Sequence, residues 1–135
     1  MKAMIIKGTG GAEQFTEVKL SKPTVQAGQL LIEVKATSIN PIDVKLRSVD
    51  TPWSENLPEV RHGDVAGIVT EVADEVSTFQ VGDEVFGWAC GICGINGALA
   101  EFMVVDSQLI AKKPKNISMR EAAALPLVSI TAWEA

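Results

Sequence analysis

The chain has 135 residues and is 47% hydrophobic, which is enough for one domain with an apolar core. Its 12 basic and 17 acidic side chains give a formal net charge of −5, and this acidic balance argues against a nucleic-acid-binding protein. The one basic cluster, at Lys112, Lys113 and Lys115, is interrupted by a proline and is interpreted as a solvated loop.

The cysteine content and the lengths of the apolar runs indicate the cellular compartment of the protein. Two cysteines, Cys90 and Cys93, are too few for a disulfide framework, so a reducing, cytoplasmic setting is predicted. The apolar run at the N-terminus is too short for a signal peptide. No stretch approaches the roughly 20 apolar residues of a membrane helix, so no membrane partner is expected.

The first third of the chain predicts short strands. Residues 2–7 and 15–20 are apolar or alternating and flank a glycine-rich turn, so they can pair as a hairpin. A loop is predicted at 23–29. Residues 30–39 form the next strand, in which four core positions alternate: Leu30, Ile32, Val34 and Ala36.

The pattern changes to helical at Asn40. Asn40 suits an N-cap, Pro41 the first helical position, and Asp43 the third, near the positive end of the helix dipole. Apolar residues then recur at helical spacing at Ile42, Leu46 and Val49. Two interpretations stay open. Asn40 and Asp43 cap a helix and do nothing else, or they form one wall of a pocket with an amide and a carboxylate facing inwards.

The central part of the chain predicts a β wall. A long loop with Trp53 covers 48–60, and residues 63–87 alternate with period two around a turn at 81–85. Gly67 lies within a strand pattern, where glycine marks a bulge or a close backbone approach. The glycine-rich segment 86–97 is interpreted as a loop.

The C-terminal part predicts two short strands and then a helix. The strands cover 98–105 and 109–112, and Ser118 with Glu121 forms a capping box. Pro126 is expected to bend or restart the helix, which runs on to Ala135 without a stop signal. This chain is therefore expected to be a piece of a longer protein, with a domain at 1–117 and the start of a helical connection at 118–135.

Few side chains suggest metal or redox chemistry. A thioredoxin-type motif needs Cys90 at a helix start, and a structural zinc site needs four ligands, so Cys90 and Cys93 are interpreted as thiols in a loop. His62 is the only histidine. Asp64 or Glu59 could join it on a metal, but the spacing does not require this, and His62 is interpreted as a surface residue.

Four segments together resemble one family: residues 1–6, 36–47, 63–87 and 97–135. The chain resembles the N-terminal GroES-like domain of a medium-chain dehydrogenase/reductase. Within that superfamily it is similar to the zinc-independent quinone oxidoreductase (zeta-crystallin-like) branch, whose members often carry the generic name zinc-containing alcohol dehydrogenase. The resemblance implies a mainly β, α+β fold: a partly open β-barrel with short helices. A Rossmann domain that binds NADPH, missing from this chain, would follow, with the cofactor between the two.

The resemblance also implies roles for individual residues. Asn40 stands where metal-dependent relatives have a zinc-binding cysteine, and Gly63 where they have a histidine, so no zinc is expected. Asn40 and Asp43 match the pattern that lines the nicotinamide end of the cleft and are the expected catalytic and cofactor-binding residues. Thr131 matches a threonine that touches the cofactor. Lys45 replaces a frequent tyrosine.

The implied reaction is hydride transfer from NADPH to a quinone or a conjugated enone. Without a metal, charge on the substrate oxygen needs hydrogen-bond donors, for which the Asn40 amide and, more weakly, Lys45 are candidates. Trp53 and Trp88 are expected to line the substrate pocket with Lys45. The resemblance implies a homodimer for the full-length protein and an inactive isolated fragment. The alternatives are a zinc-dependent alcohol dehydrogenase domain and a non-catalytic GroES-like assembly module.

Overall fold

A computed structural model describes residues 1–52, 54–89, 92 and 95–135. In this part of the chain the strands are β1 Lys2–Ile6, β2 Phe15–Lys19, β3 Gln29–Thr37, β4 Asp64–Val72, β5 Glu84–Trp88, β6 Phe102–Asp106 and β7 Ile110–Lys112. The helices are α1 Pro41–Ser48, α2 Met119–Ala123 and α3 Pro126–Glu134. Short 3₁₀ turns lie at Ala12–Gln14, Ser54–Asn56 and Ser107–Leu109.

The strands form two open antiparallel sheets. β1 and β2 pair as the predicted hairpin, and the second sheet has five strands in the order β6-β3-β4-β5-β7. Isolated bridges join Ala3 to Ala100 and Ile5 to Val60, which tie the hairpin to the rest of the domain. The predicted fold class is confirmed: the described residues are mostly strands with short helices, and the sheets do not close into a complete barrel.

The core lies on both faces of the β3–β4 pair. On one face, ten buried residues pack together: Leu30, Ile32, Val65, Val69, Val85, Ala89, Ala98, Met103, Val105 and Ile110. On the other face, Ala66 of β4 packs against Ala122 and Ala123 of α2. Small side chains allow this close packing of helix on sheet. The contact places α2, and with it the start of α3, next to β4.

Gly67 confirms the prediction of a close backbone approach. It lies opposite Val34, where the pairing of β3 and β4 shifts register. A Cβ atom at this position would lie well within 3.0 Å of the Glu33 carbonyl oxygen and of the Ile32 side chain. The strands can come together here only because residue 67 has no side chain.

The interpretation of 86–97 as a loop is wrong at its start. Phe86 and Gly87 belong to β5 and pair with Ala66 and Val65 of β4. The glycine content suggested a loop, but a glycine is required at position 87, since a Cβ there would collide with the backbone of Leu109. The glycine therefore serves strand packing.

The basic cluster is not a solvated loop. Lys112 lies in β7, and Lys113 is buried. The Lys113 Nζ donates to the carbonyl oxygens of Pro114 and Ile117 at 3.0 and 2.7 Å and pairs with Glu84 at 3.0 Å. These three contacts satisfy the hydrogen-bond donors of the buried side chain, so this lysine anchors the segment that leads to α2.

The C-terminal helices follow the predicted signals. The Glu121 carboxylate accepts the Ser118 N–H at 2.7 Å, and the Ser118 hydroxyl accepts the Glu121 N–H at 3.3 Å, which is the capping box. α2 ends at Ala123, and α3 begins at Pro126, so the proline restarts the helix. The boundary after residue 117 stays a prediction. No helix in the described ranges has the length and apolar character needed to cross a membrane.

Candidate functional site

Asn40 connects β3 to α1 and is almost fully buried, at 5% exposure. The Asp43 carboxylate accepts the Asn40 main-chain N–H at 2.7 Å, as expected at a helix start. The Asn40 side-chain Nδ2 donates to Asp64 Oδ2 at 2.7 Å and to Ser38 Oγ at 3.2 Å. The two acceptor oxygens lie 2.5 Å apart and on the same side of the nitrogen, so these contacts engage one of the two amide N–H groups.

Asp64, the first residue of β4, is the centre of this network. It is 0% exposed. Its Oδ2 accepts from Ser38 Oγ at 2.5 Å as well as from Asn40, and its Oδ1 accepts the main-chain N–H of Leu127 in α3 at 3.0 Å. In the sequence, Asp64 stands out only as a possible partner of His62. An acidic residue at the entry to an otherwise apolar strand was the available signal.

A cavity of about 550 Å³ opens between α1 and α3. Its lining comes from the start of α1 and from one side of α3: Asn40, Pro41, Ile42, Leu127, Val128, Thr131, Ala132 and Ala135. The predicted residues Asn40 and Thr131 thus lie on one cavity, although they are far apart in sequence. Most of the lining is apolar, and the amide and the hydroxyl are its polar side chains within the described part of the chain.

The Thr131 hydroxyl has a defined hydrogen-bonding capacity. Its Oγ1 donates to the Leu127 carbonyl oxygen at 2.9 Å, one turn earlier in α3. The single hydroxyl hydrogen is therefore used, while the oxygen keeps lone pairs that can accept. In this arrangement Thr131 can receive a hydrogen bond from a ligand in the cavity.

The other predicted site residues lie elsewhere. Asp43 adjoins the cavity through its bond to Asn40. Lys45 is exposed on α1, and Trp88 is half-buried at the end of β5, opposite Asp64 in the strand register. Neither is among the described residues of the cavity wall. Trp53 lies outside the described residues, as do both cysteines.

His62 is not a surface residue, and that interpretation is wrong. Its exposure is 5%, and its ring meets Phe15 edge to face with centroids 6.5 Å apart. Its backbone has a φ of 71°, in the left-handed region. Its carbonyl oxygen accepts the Ala98 N–H at 2.8 Å, and Gly97 packs against its main chain. Contacts distant in sequence therefore bury it.

Burial lowers the pKa of His62 below its usual value of 6.5. The Asp43 carboxylate, hydrogen bonding with the Ser38 main chain and the Asp64 carboxylate act in the opposite direction but do not outweigh desolvation. The imidazole is therefore neutral at neutral pH. Its Nδ1 has no hydrogen-bond partner in the described part of the chain.

We expect His62 to make stability fall as pH falls. Because the folded-state pKa is lowered, the unfolded chain binds more protons below about pH 6.5, and the unfolding free energy drops there. His62→Asn, a residue type that tolerates the left-handed region, removes this titration. Urea unfolding at about pH 7.5 and 5.5 checks it: wild type should lose more stability between these values than the variant.

Comparing wild type with His62→Asn separates the effect of the histidine on the unfolding free energy from that of the carboxylates. Glu13, Asp83 and Glu121 have lowered pKa values, because of hydrogen bonds to the backbone for Glu13 and Glu121 and to Lys112 for Asp83. Their contribution is lost only as pH falls below their ordinary values of 4.5 and 3.8, and it is present in both chains. Equal losses in wild type and variant would contradict the assignment.

The described residues do not fit a metal ion at this site. No group of three or more His, Cys, Asp or Glu side chains in the described ranges is placed to hold one. The Asn40 nitrogen is turned to Asp64, and the position next to His62 is a glycine. The absence of zinc from the whole protein stays a prediction.

Comparison with known proteins agrees with the resemblance noted above. Residues 26–115 match the family described as the alcohol dehydrogenase GroES-like domain. A zinc-type alcohol dehydrogenase-like protein of Staphylococcus epidermidis is 34% identical over 99% of this chain and 39% of its own length. A chloroplastic NADPH-dependent alkenal/one oxidoreductase of Arabidopsis thaliana is 38% identical over 99% of this chain and 36% of its own.

The structural comparison gives the same result. The quinone oxidoreductase of Coxiella burnetii superposes with a TM-score of 0.90 at 29% identity, covering 99% of this chain and 43% of that one. The chain therefore belongs to the alcohol dehydrogenase GroES-like domain family, within the medium-chain dehydrogenases/reductases, and the predicted family is confirmed. Its relatives include quinone and alkenal oxidoreductases, and it spans about two-fifths of the length of the first relative, 39%.

Proposed function

We propose that the whole protein is an oxidoreductase that transfers a hydride from NADPH to a quinone or a conjugated enone, and that this chain provides the substrate-side wall of its site. One observation supports this most directly: Asn40 and Thr131 line the same largely apolar cavity of about 550 Å³. A concave, mostly apolar site with a few placed polar groups is the usual form of a cofactor site. The names of the relatives above point to the same reaction class.

In this proposal the cavity receives the nicotinamide end of the cofactor. Thr131 accepts a hydrogen bond from the carboxamide N–H₂, since its own hydrogen is donated to Leu127. The apolar side chains of Ile42, Leu127 and Val128 exclude water around the ring. NADPH, when bound, supplies the hydride. The protein contributes mainly by holding the reactants together in a dry site.

Asn40 and Asp43 have a structural part in the proposal. Asp64 and Ser38 engage one Asn40 N–H group, and the other N–H stays the proposed donor to the substrate oxygen. Asn40 also shapes the wall beside the cofactor, and Asp43 fixes its main chain. Lys45, Trp53 and Trp88 stay the proposed contacts of the substrate, with Lys45 as the weaker candidate donor.

A zinc-dependent alcohol dehydrogenase is the second candidate, because one relative carries a zinc-type name. Metal analysis of the whole protein separates the two: about one equivalent of catalytic zinc per chain would favour the second. Nothing observed favours the assembly module. The homodimer and the cytoplasmic location stay predictions, the latter because one relative is named chloroplastic.

Kinetics on the whole protein test the proposal. NADPH oxidation is expected with quinones and conjugated enones, and NADP⁺ reduction by simple alcohols should be negligible. Thr131→Val should raise the KM for NADPH about 5- to 10-fold, which corresponds to the loss of one hydrogen bond of about 1 kcal/mol. Thr78→Val, at an exposed position, is the matched control and should leave KM unchanged.

The same assay on the 135-residue chain alone should show no NADPH turnover. Turnover by this chain would contradict the proposed division of roles. A whole protein that oxidises alcohols only when zinc is present, and ignores enones, would contradict the proposed reaction.

A further inference from the structure

We propose that Asp64 is a positioning residue that sets the separation between the two walls of the cavity. Its carboxylate is the one group in the described part of the chain that bonds both walls at once. Oδ2 holds the Asn40 side, and Oδ1 holds Leu127 of α3. The consequence for catalysis rests on the proposed function, whereas the positioning itself does not.

α3 needs this contact because it has no side-chain cap of its own. Its N-cap residue is Leu125, whose side chain cannot accept a hydrogen bond, and the first N–H groups of any helix lack partners within the helix. Asp64 supplies an acceptor for the Leu127 N–H from 63 positions away in the sequence. Its negative charge also lies at the positive end of the α3 dipole. A distant residue thus performs the capping that α3 cannot perform locally.

The site requires a carboxylate in particular. Three donors converge on Asp64: a hydroxyl, an amide N–H and a main-chain N–H. An ionised carboxylate only accepts, so both oxygens can be used. Asparagine would present its own N–H₂ to one wall, where a donor would face a donor. Glutamate would keep the charge but add a methylene to a side chain that is 0% exposed.

The same contacts join the two walls to one strand. Ser38 and Asn40 flank the entry to α1, and Leu127 lies in the first turn of α3. Between them stands the first residue of β4, which is held in the sheet by pairing with Trp88. The sheet is the rigid element. The Asp64 carboxylate, which is fixed in the sheet, holds both walls at defined positions relative to it. Such support keeps a site within the narrow tolerance that catalysis needs.

Amide hydrogen exchange on the 135-residue chain tests the positioning. In Asp64→Asn the exchange rate of the Leu127 amide should rise about tenfold relative to that of Val69 in β4, whose N–H donates to the Asp83 carbonyl oxygen. The Asn40 side-chain amide signals should shift as well. Asp74→Asn removes the same charge at an exposed position and should change neither.

General destabilisation would raise the exchange rates of both the Leu127 and the Val69 amide. The ratio of these two rates is therefore insensitive to it. An unchanged Leu127 to Val69 ratio in Asp64→Asn would overturn the proposal. If that variant does not fold, Asp64→Glu decides, because its carboxylate cannot keep both walls at the same spacing. The ratio should rise there too, and an unchanged ratio would again overturn the proposal.

Kinetics of the whole protein test whether Asp64 affects catalysis. Asp64→Asn should raise the KM for NADPH and lower kcat about tenfold each, and Asp64→Glu should recover part of both, while Asp74→Asn should match wild type. If wild type does not oxidise NADPH at all, the proposed function fails, and the exchange ratio still decides the role of Asp64. If wild type is active and Asp64→Asn keeps its kinetics, the positioning role is overturned.

Discussion

Replacing Gly67 with alanine is expected to lower the unfolding free energy of this chain by about 3 kcal/mol, because the added methyl group cannot be accommodated. The methyl carbon would lie well within 3.0 Å of the Glu33 carbonyl oxygen and the Ile32 side chain. Ile32 is 0% exposed and cannot move aside without opening the core. The Glu33 oxygen belongs to the paired strand, so relief requires β3 and β4 to separate.

Gly82→Ala is the matched control for this prediction. Gly82 has a φ of 93°, but an added Cβ would meet no atom within 4 Å. Only the backbone conformation opposes alanine there, and we expect a cost of about 1 kcal/mol. Urea denaturation followed by tryptophan fluorescence measures both variants. A Gly67→Ala loss no larger than the Gly82→Ala loss would show that β3 and β4 are farther apart than described.

Asn40→Asp is expected to have the second largest effect, a loss of about 2–4 kcal/mol at neutral pH. The substitution keeps the shape of the side chain but replaces the N–H₂ group with oxygen. That oxygen would face Asp64 Oδ2, which in the wild-type chain accepts a hydrogen bond from the Asn40 amide nitrogen at 2.7 Å. Two carboxylates at this separation cannot both stay ionised, and the site is buried.

The pH dependence of this variant should have an unusual sign. A shared proton relieves the repulsion, so the folded variant binds a proton more readily than the unfolded chain does. Its unfolding free energy relative to wild type should therefore recover as pH falls from about 7 to about 5. Asn116→Asp, at an exposed position, is the control and should show no such recovery. A deficit independent of pH would contradict the direct contact between residues 40 and 64.

Local signals account for the predictions that were confirmed. The hairpin, the capping box of α2 and the restart at Pro126 each depend on residues within one turn or one strand pair. The close approach at Gly67 is predictable because a glycine inside an alternating strand usually marks a bulge or a near contact of two backbones. Such features depend on short-range sterics and hydrogen bonding, which the order of residues specifies directly.

Burial of polar groups could not be predicted in the same way. Their residue types predict a surface position for His62 and Lys113, because charged or titratable side chains usually lie there, yet both are buried in the folded chain. The same holds for Asp64, since its contact with Leu127 joins two positions that lie together where α2 packs on β4. Its role is invisible until β3, β4 and α3 are brought together.

Residue order alone predicts the family, the mainly β architecture and the N-cap of α1 at Asn40, because alternation, caps and turn residues act over short distances. Two facts come from the tertiary structure: the Asn40 amide donates to Asp64, and Asn40 and Thr131 share one cavity. Hydrogen bonds across 24 and 63 positions of sequence, both to Asp64, make the difference, since only folding brings those donors to one buried carboxylate.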